Sequence, residues 1–352
     1  MRSILLAALG ALTLSTAPAA AQVAAQTALV PHVGGRVAPA PDGGLAFGWP
    51  GVYFEGRFSG PSVTVAVDTG SEHLAVSIDG QVRAELRKPG LARLTFDHLA
   101  PGEHVVRLDK LTESQTGAAR FIGFFVGPEG KPLAPTARPR RIEFIGDSYT
   151  VAYGVRSTHR DCTQDEVHDL TDTSQSFAPI LAGRLDADYR IIAFSGRGVV
   201  RNYSGLAPGE PLPALYPRLI PGQAEPHVDP TESWKPDLIV VGLGTNDFST
   251  PLKAGEAWPD EADLRADYRD AYVAFVAALA RRDPQARFLL LAGDTFADDV
   301  AQVAGRLNGA TANLATPVRV TGMERTACHS HPSAADERMM ADLLEKAIRG
   351  LK

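Results

Sequence analysis

The pattern of apolar residues changes partway along the chain. From about Gly51 to Val126, short apolar or alternating runs are separated by turn residues, and no segment has a useful helical period. Short strands at this spacing are typical of an all-β sandwich. We therefore predict a small two-sheet jelly roll with strands in GVYFEGRF, SVTVAVD, HLAVSIDG, ARLTFDHL, HVVRLDKL and RFIGFFVG.

Beyond residue 139, compact apolar runs alternate with segments of helical period. The segment 260–282 has the spacing of an amphipathic helix with Asp260 as its N-cap, and its apolar face consists of Leu264, Tyr268, Phe275, Val276 and Leu279. Strands that alternate with helices predict a parallel sheet covered by helices on both faces, with ligands bound at the carboxyl ends of the strands. The predicted strands lie in RIEFIGD, YRIIAFSG, DLIVVGLG, ARFLLLAGD and TPVRVTG.

A chain of 352 residues exceeds what one core usually serves, and its composition suggests four segments. We expect a signal peptide at 1–21, a β-sandwich domain at 22–126, a Pro- and Gly-rich linker at 127–139 and an α/β domain at 140–352. The N-terminal segment has a basic start, a short apolar stretch and a small-residue cleavage site. It is too short for a permanent span, which predicts a secreted or periplasmic protein without a stable membrane anchor; a retained N-terminal anchor is the alternative.

The charge balance narrows the class of partner. The net charge is −6, from 35 Lys+Arg and 41 Asp+Glu without long runs, so nothing resembles a nucleic-acid footprint. A neutral or mildly charged substrate fits this balance better than a polyanion. His159 and His168 lie in a polar loop and are expected to face solvent or the rim of a site, because no spacing supports a zinc cluster. The composition does not address the oligomeric state.

Polar residues with complementary chemistry follow the apolar runs of the second part. Ser148 follows the first run, Gly196 the second and Asn246 the third, while His331 precedes the last helix. Acyl transfer needs an activated nucleophile, a proton shuttle and preorganised donors for a tetrahedral oxyanion. These four positions supply residues of each kind.

In order and spacing, GDSYT, the glycine after the second strand, GTND and the C-terminal His-Pro resemble the four blocks of SGNH (GDSL-like) hydrolases. The resemblance covers about residues 140–350. The β domain in front, together with FIGDSYTVAYG, SGRGVVRN and LGTNDFS, is similar to carbohydrate esterase family 2. That resemblance implies a secreted two-domain deacetylase of plant polysaccharides such as xylan and glucomannan.

The resemblance also implies roles for individual residues. Ser148 corresponds to the nucleophile and His331 to the general base, and the oxyanion donors are the Ser148 backbone N–H, Gly196 and Asn246. Gly198 is a competing candidate for the donor, and His329 is a rival base. Ser148 as a simple helix N-cap and Asn246 as a turn residue are the structural alternatives. Asp147 and Asp247 are expected to orient loops through hydrogen bonds to backbone N–H groups.

The chain departs from the SGNH pattern beside the base. Many of these hydrolases carry Asp three residues before the catalytic His, whereas position 328 is a cysteine. A half-cystine cannot replace a carboxylate that orients imidazole. The resemblance to carbohydrate esterase family 2, which includes enzymes whose base is oriented by a backbone carbonyl, implies a Ser-His dyad of that kind here, with Glu324 as a distant side-chain alternative. The tryptophan common next to the base in this family is also missing, and Trp258 is a candidate for contacting a sugar ring, with core packing as its alternative.

In an oxidising compartment, Cys162 and Cys328 are expected to form a disulfide that clamps the loops near Ser148 and His331. The resemblance as a whole implies a carbohydrate O-acetyl esterase that needs no metal or organic cofactor and acts on acetylated oligo- or polysaccharides. Two alternatives stay open: another SGNH lipase-like or thioester hydrolase, and a non-catalytic glycan-binding protein.

Overall fold

Two antiparallel sheets form the N-terminal part of the protein in the computed structural model, which describes residues 26–88 and 90–351. The predicted signal peptide lies outside these residues. The strands of this part are β1 (Thr27–Ala28), β2 (His32–Gly34), β3 (Ala38–Pro39), β4 (Leu45–Phe47), β5 (Tyr53–Ser59), β6 (Val63–Asp68), β7 (His73–Ile78), β8 (Gln81–Arg87), β9 (Leu91–Phe96), β10 (Glu103–Lys110), β11 (Ala119–Val126) and β12 (Lys131–Leu133).

The two sheets pack face to face and bury aromatic side chains between them. One sheet has the order β3-β4-β11-β6-β9 with β1 beside β11, and the other has the order β12-β5-β10-β7-β8 with β2 beside β5. Phe54 of the second sheet stacks on Phe121 of the first with ring centroids 4.1 Å apart. The predicted sandwich is confirmed. The sequence pattern missed β1 to β4, which are too short to show alternation, and β8, which is mostly exposed.

The segment predicted as a linker extends the sandwich. Its residues Lys131–Leu133 form β12, which pairs antiparallel with β5 at the edge of the sheet. Pro132 is tolerated there because an edge strand can lack one backbone donor. The proline content that suggested a linker is therefore equally compatible with an edge strand.

A five-stranded parallel sheet forms the C-terminal part, as predicted. The strand order is β14-β13-β15-β16-β17, so β14 lies on one side of β13 and the later strands lie on the other. The crevice in which such sheets bind ligands lies where this order reverses, between β13 and β15. The strands are β13 (Arg140–Gly146), β14 (Ala187–Ala193), β15 (Leu238–Gly242), β16 (Arg287–Ala292) and β17 (Ala315–Arg319). The helices are α1 (Ser148–Val151), α2 (Gln164–Leu170), α3 (Phe177–Arg184), α4 (Leu212–Leu215), α5 (Thr245–Phe248), α6 (Glu261–Arg282), α7 (Ala297–Ala310) and α8 (Ala334–Arg349).

Helix α6 packs against the end of β15 that faces the crevice. Asp260 caps it by accepting from the Asp263 N–H, as expected. Tyr272, rather than the partly buried Phe275, completes its buried face. The Tyr268 hydroxyl donates to the Leu243 carbonyl over 2.8 Å, which fixes the loop that follows β15. Within the described part of the chain, no helix is both long and apolar enough to cross a bilayer.

A buried charge cluster joins the sandwich to the parallel sheet. Glu143 of β13 is fully buried and lies 3.3 Å from Arg36 of the sandwich and 3.1 Å from Arg282 at the end of α6. The Tyr216 hydroxyl donates to the same carboxylate over 2.6 Å. Burial alone would raise the pKa of Glu143, but the two guanidinium groups hold that pKa below its ordinary value. The carboxylate therefore carries a full charge between the two parts.

We expect Glu143→Gln to lower the free energy of unfolding by about 3 kcal/mol, because it leaves the buried Arg36 guanidinium without its charged partner and leaves Arg282 with Asp283 alone. Urea denaturation measures this loss. The matched control is Glu103→Gln, which removes an exposed partner of Arg57 and should change stability by no more than about 0.5 kcal/mol. Equal effects of the two variants would contradict a stabilising role for the cluster.

Candidate active site

Ser148 lies at the carboxyl end of β13, where the strand turns into a helix. Asp147 accepts a hydrogen bond from the Tyr149 N–H over 3.0 Å and so caps α1, whose first residue is Ser148. The preceding Gly146 has to be a glycine because a Cβ there would collide with the Thr150 side chain. A one-turn helix thus begins at the serine, which is buried and only 5% accessible.

The His331 imidazole contacts the Ser148 hydroxyl. His331 Nε2 lies 2.8 Å from Ser148 Oγ, and Nδ1 lies 2.9 Å from the Cys328 carbonyl oxygen. A carbonyl only accepts, so Nδ1 carries the proton and Nε2 is free to accept from the serine. Glu324, the side-chain alternative, is exposed, and no hydrogen bond links it to His331 in the described part of the chain. This geometry favours the backbone carbonyl as the group that orients the imidazole.

The rival histidine points elsewhere. His329 Nε2 donates to the Cys162 carbonyl over 2.8 Å, and its Nδ1 lies 2.9 Å from the Tyr153 hydroxyl. With both ring nitrogens engaged in this way, His329 does not contact Ser148. The extended backbone of His331 before Pro332, at φ −82° and ψ 165°, agrees with the restriction that proline places on the residue before it.

Burial shifts the pKa values of three acid-base groups at the site. It lowers the pKa of His331 to about 4, which keeps the imidazole neutral at ordinary pH. It raises the pKa of Asp147 to about 7 and that of Asp247 to about 6. Asp247 accepts hydrogen bonds from the backbone N–H groups of Val199, Val200 and Arg201, which confirms its predicted loop-orienting role.

The two glycines that compete for the donor role differ in their surroundings. Gly196 has φ +83°, a Cβ there would meet Tyr203 at an ordinary contact distance of 3.9 Å, and no described residue accepts a hydrogen bond from its N–H. Gly198 donates instead to Asn202 Oδ1 over 3.2 Å, and a Cβ there would collide with the Arg201 carbonyl. Gly198 is therefore needed for close packing. The Ser148 N–H, like that of Gly196, has no acceptor among the described residues.

Asn246 contacts Asp147, the residue before Ser148, and uses both of its amide protons. Its Nδ2 donates to Asp147 Oδ2 over 3.1 Å and to the Arg197 carbonyl over 2.9 Å. The second contact ties α5 to the loop that carries Gly196. To stabilise an oxyanion, Asn246 would have to exchange one of these bonds for a bond to the substrate.

Cys162 and Cys328 form a disulfide, with their Cα atoms 5.4 Å apart. It connects the loop before α2 to the carbonyl that orients His331. The Arg160 guanidinium reinforces the connection by donating to the Arg325 and Glu324 carbonyls over 2.9 and 3.0 Å. The two loops are thus held together by one covalent bond and by several hydrogen bonds.

Trp258 lies apart from Ser148. It is partly buried, donates from Nε1 to Asp267 over 2.9 Å, and lines a surface groove together with Leu206 and Pro208. No described contact joins it to Ser148 or His331. Its position is compatible with a more distant sugar-binding role.

The fold places His168 beside two residues that the sequence did not associate with it. The ligand atoms of His73, His168 and Asp169 lie within 4.8 Å of one another. Lys88 Nζ lies 4.0 Å from Asp169 and competes with a cation for that carboxylate. His159, by contrast, is exposed and its Nδ1 lies 3.0 Å from the Asp161 carbonyl.

Two aromatic residues at the site were missed by the sequence analysis. The Tyr153 ring stacks on the His331 imidazole with centroids 4.2 Å apart, and the Tyr149 ring lies 5.6 Å away in a T-shaped arrangement. Both follow Ser148 within five positions. The left-handed conformation of Ala152, at φ +61°, ends α1 and redirects the chain, so the sequence alone gave no sign that Tyr153 returns to the imidazole.

Comparisons with known proteins agree with this architecture. Residues 33–135 match the family described as carbohydrate esterase 2 N-terminal, and residues 144–343 match the GDSL-like lipase/acylhydrolase family. An acetylxylan esterase / glucomannan deacetylase of Cellvibrio japonicus (strain Ueda107) is 41% identical over 321 residues, which cover 89% of each chain.

Solved structures show the same arrangement of the two parts. A carbohydrate esterase whose active site displays divergent catalytic and non-catalytic binding functions superposes with a TM-score of 0.86 and 38% identity, over 93% of this chain and 99% of that one. A family two carbohydrate esterase from Clostridium thermocellum in complex with cellohexaose gives a TM-score of 0.80 and 28% identity, over 91% and 98%. With both parts matched and a serine-histidine pair at the predicted position, the chain belongs to the GDSL-like lipase/acylhydrolase family and, within it, to carbohydrate esterase family 2.

Proposed function

We propose that the protein is a secreted carbohydrate O-acetyl esterase that works through a serine acyl-enzyme. The observation that carries this proposal is the 2.8 Å contact between Ser148 Oγ and His331 Nε2 at the carboxyl end of β13. The similarity to an acetylxylan esterase / glucomannan deacetylase supports acetylated xylan or glucomannan as the substrate class. The N-terminal signal pattern and the disulfide support export.

Acylation begins when Ser148 Oγ attacks the acetyl carbonyl carbon. His331 Nε2 takes the hydroxyl proton as the bond forms, and the carbonyl oxygen becomes an oxyanion. The Ser148 and Gly196 N–H groups, both without protein acceptors among the described residues, are available to donate to that oxygen. Asn246 becomes the third donor by exchanging its bond to Asp147 or to the Arg197 carbonyl for one to the oxyanion. The tetrahedral intermediate then collapses as His331 returns the proton to the departing sugar oxygen.

Deacylation repeats these steps with water as the nucleophile. His331 removes a proton from a water molecule, whose oxygen attacks the acetyl-serine carbonyl. Collapse of the second intermediate breaks the bond to Ser148 Oγ, which regains its proton from His331. The products are acetate and the free sugar hydroxyl. In this proposal, residues 140–352 form the esterase domain, and the sandwich supports the site or binds the glycan.

A histidine oriented by a carbonyl has a different electrostatic environment from one oriented by a carboxylate. The Cys328 carbonyl fixes the tautomer through Nδ1 but offers only a dipole to the imidazolium that forms when Nε2 is protonated. Proton transfer therefore depends on the other groups around the ring. Substrate preference can also differ from that of relatives with a tryptophan beside the base, and Trp258 is our candidate for a more distant sugar contact.

We expect Ser148→Ala and His331→Ala each to lower kcat/KM by about 10⁴-fold, because each removes one half of a unit that acts together. His329→Ala is the matched control and should cost no more than about tenfold, since this ring does not contact Ser148. Acetate release from acetylated xylan, acetylated glucomannan and 4-nitrophenyl acetate measures all three. A larger loss in the His329 variant than in the His331 variant would reverse the assignment of the base.

The same assay distinguishes the alternative functions. Preferential release of long-chain acids would favour a lipase-like or thioester hydrolase. Glycan binding without acetate release by the unmodified protein would favour a non-catalytic binder. Either result would overturn the proposed function.

The acid side of the pH profile should reflect the lowered pKa of His331. A base must be neutral to accept a proton, and burial lowers this pKa to about 4, so kcat/KM should stay level as the pH falls to about 5 and halve near about 4. Initial rates with 4-nitrophenyl acetate between about pH 3.5 and 8 measure the profile. A midpoint near pH 7 would contradict this expectation, because it would match the pKa of about 7 of Asp147. The acid-side fall in kcat/KM would then belong to that carboxyl, and Asp147→Asn would abolish the fall.

A further inference from the structure

The His331 imidazole has two polar partners among the described residues and no carboxylate. Ser148 Oγ and the Cys328 carbonyl occupy its two nitrogens. The face of the ring is covered by Tyr153, whose centroid lies 4.2 Å away with an interplanar angle of 27°. The Tyr153 ring is therefore closer to the imidazole than the Tyr149 ring, whose centroid lies 5.6 Å away.

A stacked aromatic ring interacts more strongly with the cationic form of His331 than with the neutral form. The face of a phenol ring carries negative potential and attracts a cation within about 6 Å of its centroid. The imidazole is neutral before the reaction and becomes cationic as it accepts the proton of Ser148. Contact with Tyr153 is therefore stronger in the transition state than in the resting enzyme, which is the condition for accelerating a chemical step.

His329 holds the Tyr153 ring in this position. Its Nε2 donates to the Cys162 carbonyl, which leaves Nδ1 as the acceptor for the Tyr153 hydroxyl at 2.9 Å. The His329 N–H donates to the Arg160 carbonyl over 2.7 Å, and the residue adopts the left-handed conformation at φ +52°. The ring of Tyr153 is thus tied at its hydroxyl to the loop that carries Cys162.

The remaining charged groups near these rings do not replace a counter-ion for His331. Burial raises the pKa of Tyr153, as do Glu113 and Tyr203, while a hydrogen bond with the Gln164 side chain lowers it. The net direction is upward, so the phenol stays neutral. Arg325 acts on Tyr149, and His329 is the titratable neighbour that acts on His331 itself. Glu113 is the acid among these groups and acts on the pKa of Tyr153, whereas no carboxylate of the described residues contributes to the pKa of His331.

We propose that Tyr153, held by His329, supplies the electrostatic stabilisation of the His331 imidazolium that a triad carboxylate would otherwise provide. Both are positioning residues, since they act through His331. This inference deepens the proposed esterase function and rests on it.

Fluorination of the ring at position 153 tests the electrostatic effect of that ring on His331, because it weakens the negative potential of the ring face and largely keeps its shape. Tyr153→Phe should lower kcat by no more than about threefold, since the ring remains, whereas Tyr153→Leu should lower it by at least about tenfold. Phenylalanines with one, two and three ring fluorines at position 153 should lower kcat stepwise, to about a tenth of the Tyr153→Phe value, with KM unchanged. A flat series would overturn the proposal.

The same fluorinated residues at Phe121, which stacks on Phe54 between the two sheets of the sandwich, provide the matched control and should leave kcat unchanged. An equal decline at both positions would show a general effect of fluorination and would also overturn the proposal. Wild-type protein that releases no acetate would refute the proposed function as well, whereas active wild type with a flat series would refute this inference alone.

A double-mutant cycle tests the role of His329. His329→Leu should lower kcat by about threefold in the wild type and have no further effect in Tyr153→Phe, which lacks the hydroxyl that His329 accepts. Thermal unfolding of the four proteins checks that each is folded. Independent, multiplicative losses would overturn the assignment of His329 as the residue that holds Tyr153.

Discussion

The hydrogen bond from His331 Nδ1 to the Cys328 carbonyl is the interaction on which the site depends. It fixes the tautomer, and with the tautomer fixed, only Nε2 can accept the proton of Ser148. A backbone carbonyl cannot rotate away as a side chain can, so the direction of the imidazole is set by the path of the loop. The Ala327 N–H donates to the His331 carbonyl over 3.2 Å, which closes that loop on itself.

Much of this arrangement could be predicted from the sequence because strand ends in a parallel sheet converge. Ser148 and Asn246 follow β13 and β15, which are paired residue by residue up to Gly146 and Gly242. Hydrophobic runs give the strands, and adjacency in the sheet then brings their ends together. His331 is assigned through the resemblance of its His-Pro pair to the last SGNH block, which stands directly before helix α8 and its capping box at Ser333. Strand ends and this resemblance together locate the main components of the site.

Other features depend on distances that sequence patterns do not contain. The choice between Gly196 and Gly198 becomes clear only when the Arg201 carbonyl is seen to occupy the space beside the second glycine. Tyr153 reaches the imidazole because Ala152 adopts the left-handed conformation, and an alanine gives no sequence signal for such a turn. The charge cluster at Glu143 joins residues from both parts of the chain, so no local pattern could reveal it.

The disulfide between Cys162 and Cys328 has a consequence for when the protein acquires its site. It joins residues separated by 166 positions, and one of them carries the carbonyl that orients the base. A chain that is still reduced must hold that carbonyl by noncovalent contacts alone, such as those of Arg160. Oxidation adds a covalent constraint to those contacts, so the compartment in which the two thiols are oxidised is also the one in which the loop of Cys328 is covalently fixed.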